Sequence, residues 1–273
     1  MSAARKFEEY ERRLERGPAR VSISGSGVYD GEILRVSGSA RVEGDLMVSE
    51  VRASGSLTCV GSVKATLLRV SGSAKVAGDL KGGMVRASGS LSVGGNLSAE
   101  ESLKISGGAS IAGLVEGGEV RISGALRASS IKCRTLVANG SVRVGGDVEC
   151  RSFELTAEGR SIIGGSLRAE EVVVRGGEAR TVVRIGPLEI SVSGRRKGFL
   201  RVGRVEGDKV DLEYVECEEV RAHRVRIGRG CRVTGNVYYV EEVEVDPAAV
   251  VKGQLVRVKG PHEGGCREGG DRS

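Results

Sequence analysis

Residues that could act as general bases or metal ligands are few in this chain of 273 residues. Its two histidines are His223, in a segment of alternating apolar and charged residues, and His262, in a glycine-rich tail. Acyl transfer needs a histidine base, and a histidine-bound zinc needs three such ligands, so two histidines argue against both. Asp45, Asp79 and Asp147 each follow a glycine, where a role in a turn is sufficient. The chain is therefore predicted not to be an enzyme.

The cysteines and the glycine strings give no cofactor site either. None of the six cysteines has the Cys-x-x-Cys spacing of a zinc site. Cys133 and Cys150 lie 17 residues apart, which predicts equivalent positions on adjacent coils, at a separation that a disulfide tolerates. Cys59 and Cys231 fall on apolar positions, where a free thiol packs as a small hydrophobe. No Gly-x-Gly string opens a helix after a strand. We expect reduced thiols, no metal, no cofactor and no small-molecule substrate.

A short internal repeat dominates the chain. Six near-identical pentapeptides end in glycines spaced 17, 17, 17, 18 and 17 residues apart; they begin at Leu34, Val51, Leu68, Val85, Leu103 and Val120. The period is too short for a helix-pair repeat or a propeller blade, which need roughly 34–50 residues. It is typical of one turn of a solenoid.

Each repeat predicts three short strands and their corners. In VSGSARVEGDL, which begins at Val36, apolar residues alternate with polar ones, so one side of each strand faces inward. The Gly-Asp dipeptides, such as Gly44 and Asp45, predict corners, because both residues tolerate positive φ. Successive coils would then stack as parallel strands. The predicted fold is all-β: a parallel β-helix of about 17-residue coils.

The pattern divides the chain into five parts. Residues 1–20 are predicted to form an amphipathic helix that caps the first coil, and residues 21–178 form the first run of the β-helix. Residues 179–208 are predicted as inserted strands with a basic turn at 194–198. The second run covers 209–259, and 260–273 is predicted to be a disordered tail.

Composition indicates the cellular location and the possible partners of the protein. No run of 18 apolar residues occurs and the N-terminus lacks a signal-peptide core, which predicts a cytoplasmic protein. Charged residues make up 29% of the chain while Asn and Gln are rare, a balance typical of thermophiles. The net charge is +6, aromatic residues are 3% and Trp is absent, which argues against nucleic acid as a partner.

One outward position of the repeat carries a cation on six successive coils. This basic ladder consists of Arg35, Arg52, Arg69, Arg86, Lys104 and Arg121. One interpretation is a solvated face that prevents lateral aggregation of the sheets. The other is a track for an anionic partner, either a membrane surface or an acidic protein.

The repeated VSGxAxVxGDL motif resembles the bactofilins, which are polymer-forming cytoskeletal proteins. The resemblance covers about 34–178 and about 209–257. It implies a right-handed parallel β-helix that polymerises end to end without bound nucleotide, as a scaffold near the inner face of the membrane. The charged N-terminal segment and the insertion at 179–208 depart from that pattern.

Exposed strand edges at the two ends of a solenoid predict self-association. The residues predicted to form these ends are Val21, Ile23, Val28 and Ile33 at one end, and Leu255, Val256 and Val258 at the other. We therefore predict a structural scaffold that forms homopolymers. The alternative is a monomeric, capped β-helix that binds an anionic surface through the basic ladder.

Overall fold

The structure, a computed structural model, describes the backbone of residues 19–185 and 188–259, and the side chains of 19–177 and 198–259. This part of the chain is all-β. About 12 coils, spaced about 17 residues apart, stack as parallel strands into a β-solenoid, which confirms the predicted fold class. Residues 1–18 of the predicted N-terminal helix and the predicted tail at 260–273 lie outside the described residues.

The strands follow one another with short corners between them. The first half of the chain forms β1 (Arg20–Ser24), β2 (Gly27–Tyr29), β3 (Ile33–Val36), β4 (Ser39–Glu43), β5 (Leu46–Ala53), β6 (Ser56–Cys59), β7 (Val63–Val70), β8 (Ser73–Val76), β9 (Leu80–Ala87), β10 (Ser90–Val93), β11 (Leu97–Ile105), β12 (Gly108–Ile111), β13 (Leu114–Ile122) and β14 (Ala125–Ala128). The second half forms β15 (Ser130–Val144), β16 (Val148–Glu149), β17 (Ser152–Ala157), β18 (Arg160–Gly176), β19 (Glu178–Ile185), β20 (Leu188–Lys197), β21 (Phe199–Leu212), β22 (Val215–Ile227), β23 (Arg232–Val233), β24 (Val237–Val245), β25 (Val250–Val251) and β26 (Leu255–Arg257).

Each coil contributes a strand segment to three faces of the rod. The first face starts with β3, the second with β4, and the third with the first half of β5. Val36, Ala53 and Val70 lie in direct register on the first face, and each is only 2% exposed. The 17-residue period therefore places equivalent residues above one another in buried columns, as the repeat predicts.

The glycine in each Ser-Gly-Ser corner is required by the close stacking of coils. A Cβ on Gly72 would lie 2.1 Å from the carbonyl oxygen of Gly55 in the coil below. We call the stacked glycines of this corner the glycine column: Gly38, Gly55, Gly72, Gly89, Gly107 and Gly124. None of them has positive φ. The repeat thus keeps glycine here because any side chain would collide with the neighbouring backbone.

The Gly-Asp corners lie where the sequence predicts, and the predicted positive φ is confirmed at Gly44 but not at the other corners. Of the residues in these corners, Gly44 has positive φ (95°), whereas Asp45 and Asp79 do not. Instead, the Oδ1 atom of Asp45 accepts a hydrogen bond from the Ser62 N–H (2.8 Å), and that of Asp79 accepts one from the Asn96 N–H (2.8 Å). Each of these side chains satisfies a backbone donor one coil further on, where the strand ladder is interrupted.

This arrangement predicts a selective effect of substituting Asp79. Asp79→Ala leaves the Asn96 N–H without its acceptor, and we expect unfolding free energy to fall by about 1 kcal/mol. Asp79→Asn keeps a carbonyl oxygen at the same place, as Asn96 does naturally toward the N–H of Leu114 (2.9 Å). Urea unfolding should therefore separate the alanine variant from both the asparagine variant and the wild type.

The chain does not enter the parallel stack at residue 21, as the repeat analysis placed it. β1 and β2 run antiparallel to β4 and β3, respectively, beneath the first coil. Gly25 (φ 92°) and Gly31 (φ 94°) lie at the two reversals. The carboxylate of Asp30 accepts hydrogen bonds from the N–H groups of Ile33 and Glu32, which lower the pKa of Asp30. The parallel stack therefore begins at β3.

The insertion is also shorter than predicted. β19 and β20 form an antiparallel hairpin, and residues 194–197, predicted as a basic turn, belong to β20. The stack resumes at β21, where Phe199 lies in register with Arg160 of β18. Leu200 and Val205, each 0% exposed, fill the inner columns of this coil. The strands of this coil were predicted as part of the insertion. They alternate apolar and polar residues, but they lack the repeat motif that marks the other coils.

Candidate functional surfaces

The candidate catalytic side chains do not converge on a site. The Nδ1 atom of His223 lies 3.0 Å from Oδ1 of Asp208, and both side chains are solvent-exposed. Among residues 19–177 and 198–259, no group of three or more His, Cys, Asp or Glu side chains could hold a metal ion. His262 lies outside the described residues. In the same part of the chain, no helix is long and apolar enough to cross a membrane.

The described cysteines are free thiols in apolar or partly apolar surroundings. Cys59 and Cys231 are 1% and 2% exposed, as their apolar positions predict. Cys133 and Cys150 lie on adjacent coils, and the hydrogen bond between their side chains, together with burial, raises the pKa of Cys150. Burial raises the pKa of Cys217 to about 12. The thiols with a raised pKa, Cys59, Cys150, Cys217 and Cys231, stay protonated at neutral pH and are poor nucleophiles.

The basic ladder is a continuous structural feature. Its six side chains lie in direct register across β3, β5, β7, β9, β11 and β13. Arg52 pairs with Glu50, and Arg121 with Glu119 at 2.6 Å. None of the described carboxylates pairs with Arg69, Arg86 or Lys104 at the centre of the ladder. Neighbouring like charges about 4.8 Å apart repel each other, and salt screens only part of that repulsion.

A second row of outward residues shows how the same fold avoids such repulsion. On the third face, acidic and basic side chains alternate along six successive coils: Glu116, Lys132, Glu149, Arg168, Glu206 and Arg221. In this alternating row, Lys132 contacts Glu149 at 3.4 Å and Arg168 contacts Glu206 at 3.0 Å. A solvated face can therefore be built without like charges in register. The basic ladder differs from this row because it keeps like charges in register over six coils.

Further cations lie on the second face, across the glycine column from the basic ladder. This second basic row consists of the exposed residues Arg41, Lys75, Arg127 and Arg143, with Thr58, Ser92 and Ser110 between them. Exposed serines line the corner between the two rows. This row was not predicted from the sequence, although its signal is present there: each member follows a ladder position or its equivalent by six residues.

The C-terminal end of the rod is open among the described residues. The last coil is formed by the second half of β24, by β25 and by β26, and no described strand pairs with their outer edges. The column that contains Val220 and Val237, both 0% exposed, ends in Leu255, which is 46% exposed. Val245, Val250 and Val258 are exposed by 38%, 45% and 39%. This surface, the C-terminal tip, combines free strand edges with apolar side chains.

The residues predicted to form the two ends differ in their surroundings. Leu255 and Val258 are exposed at the C-terminal tip, while Val256 is partly buried; Val245 and Val250 of the tip were not predicted. At the other end, Val21 and Ile23 of β1 pack against the core, and Ile33 lies in the first parallel strand. Val28 of β2 is 61% exposed. The N-terminal end is therefore covered on two faces by an antiparallel layer.

These features define a β-solenoid with two candidate interaction surfaces, its C-terminal tip and its basic faces. No family model matches the chain, and no solved structure does. A 77-residue segment is 39% identical to an uncharacterized protein, YhbF, from Bacillus subtilis strain 168. The match covers 28% of this chain and 31% of that protein, so it spans under a third of the length of its curated relative.

Proposed function

We propose that the protein is a structural rod that self-assembles through its ends into nucleotide-independent filaments and serves as a scaffold. The observation that carries this proposal is the C-terminal tip, where the buried columns continue into exposed side chains and free strand edges. A strand edge of this kind is a template for pairing with another chain. The resemblance of the repeat to the bactofilins supports the same function.

The size of the tip indicates how strong such an association is. Burying a Val or Leu side chain completely contributes about 1.5–3 kcal/mol, so each half-exposed side chain of the tip contributes about 1 kcal/mol. Each backbone hydrogen bond adds about 0.5–1.5 kcal/mol. Association costs at least about 4 kcal/mol in lost freedom of motion. These terms favour assembly that depends on protein concentration.

The N-terminal layer offers a second edge for assembly. β1 pairs with β4 along one edge, and no described strand pairs with its other edge. Val28 is exposed on β2 beside it. A rod with a free edge at each end can add copies at both, which a filament requires.

A charge placed at the tip should block this assembly. We expect Leu255→Glu to remain a single species in sedimentation velocity at concentrations where the wild type forms larger species, because the glutamate would be buried without a partner. Val60→Glu is the matched control: Val60 is 49% exposed, but it lies on the side of the rod. That variant should assemble like the wild type.

The same experiment separates the two hypotheses for the protein. A wild type that stays monomeric at all concentrations would contradict the scaffold proposal and favour the monomeric, capped β-helix. Loss of assembly in Val60→Glu to the same extent as in Leu255→Glu would show that the association does not occur through the tip.

We also propose that this role involves no catalysis. His223 and its neighbour Asp208 are exposed side chains on the outside of the rod, and burial raises the pKa of the Cys217 and Cys231 thiols. A scaffold needs rigid repetition, and the inner columns of this rod provide it.

A further inference from the structure

The basic ladder and the second basic row lie on opposite sides of one corner of the rod. Between them run the glycine column and the exposed hydroxyl-bearing residues that flank it, such as Ser71 and Ser73. We call this combined surface the basic edge. Its ladder side presents six cations on consecutive coils, which span about 24 Å at about 4.8 Å per coil.

The charge pattern of the basic edge indicates a ligand. The alternating row shows that this fold can pair opposite charges from coil to coil, yet the basic ladder places like charges in register. The three central cations, Arg69, Arg86 and Lys104, have no ion-pair partner among the described side chains. An anion bound along the ladder would remove their mutual repulsion, so the free rod is already arranged for one.

The residue types of the basic edge favour phosphate groups. Five of the six ladder residues are arginines, whose planar guanidinium groups bind phosphate through paired hydrogen bonds. Exposed hydroxyl groups beside them can donate further hydrogen bonds. The described basic edge contains no aromatic side chain on which nucleic acid bases could stack. Recognition would therefore involve the charged chain of a polymer and not its side groups.

The shape of the surface favours a linear ligand. Both basic rows run parallel to the rod axis, and they lie on two faces that meet at the glycine column. A flexible chain that follows this corner can contact both rows, whereas a flat membrane would lie against one face. We propose that the basic edge binds a linear phosphate polymer that lies along the rod axis. The proposal is independent of self-assembly, because both rows belong to a single chain.

The test measures binding of fluorescein-labelled inorganic polyphosphate to the full-length protein by fluorescence anisotropy over a range of salt concentrations. We expect Arg69→Glu/Arg86→Glu to weaken binding at least about tenfold and to reduce the salt dependence, because fewer phosphates are neutralised. Arg69→Gln/Arg86→Gln should weaken polyphosphate binding less. This neutral variant tests the same two sites even if the charge-reversed variant misfolds. Lys81→Glu/Arg232→Glu is the matched control, since it changes the net charge equally at exposed sites outside the basic edge.

The control variant should bind polyphosphate within about threefold of the wild type. Equal weakening of both charge-reversed variants would overturn the proposal, because it would show attraction by net charge alone. Absence of wild-type binding at physiological salt would also overturn it. A protein that floats with phosphatidylglycerol vesicles but does not bind polyphosphate would assign the basic edge to a membrane surface instead.

Discussion

Gly72→Ala is expected to lower the free energy of unfolding by about 2–4 kcal/mol, although it adds one methyl group. The new Cβ would lie 2.1 Å from the carbonyl oxygen of Gly55 and 2.7 Å from that of Ser54, both of which are backbone atoms. That carbonyl of Gly55 accepts the hydrogen bond from the Ser73 N–H (3.0 Å), so moving it away disrupts the adjacent strand ladder. Urea unfolding followed by far-ultraviolet circular dichroism measures the effect.

Gly108→Ala is the control for this prediction. Gly108 is the next residue after Gly107 of the glycine column, but a Cβ there would meet no atom within 4 Å. Its φ is not positive, so alanine is tolerated by the backbone. We expect a change of less than about 0.5 kcal/mol. If the two alanine variants unfolded alike, the stacking distance at the glycine column could not be the reason for its glycines.

Phe153→Ala is expected to cost about 3–5 kcal/mol, because it leaves a cavity in the middle of a buried column. Phe153 is 0% exposed and lies in register between Leu136 and Val172. Since each coil of a solenoid contacts only its neighbours, the loss of stability should be largest in the coils next to Phe153. Amide hydrogen exchange should accelerate in β15 and β18 while β5 and β7 remain protected.

Phe153→Leu provides the matched comparison. Leucine occupies the same column at Leu136, so the inner space accepts it with a smaller loss of packing, about 1 kcal/mol. Accelerated exchange spread evenly over all coils in Phe153→Ala would contradict the nearest-neighbour account. It would indicate instead that the rod unfolds as one cooperative unit.

The parts of the fold that repeat could be predicted from the sequence, and the parts that depart from the repeat could not. The period alone predicts that Val36, Ala53 and Val70 share a column and that the basic ladder lies in register, because stacking translates sequence spacing into position. The reversal at Gly25 and Gly31 depends on single backbone conformations. The coil that begins at Phe199 follows an inserted hairpin, which hides the period from sequence comparison.

The candidate surfaces, too, could be predicted from the sequence only in part. The sequence identified the basic ladder and two of the exposed tip residues, Leu255 and Val258. It missed Val245 and Val250, because exposure at an end depends on which coil is last and not on residue type. It also missed the contrast between the basic ladder and the alternating row, which becomes visible only when the register of the distant coils is known.

The scaffold proposal is tested most directly by negative-stain electron microscopy of the purified wild-type protein over a range of concentrations. A stack of about 12 coils is about 50–60 Å long. The proposal predicts filaments one rod wide and many times that length, which increase with concentration and are absent in Leu255→Glu. A field of separate rods of single-chain length at every concentration would contradict it.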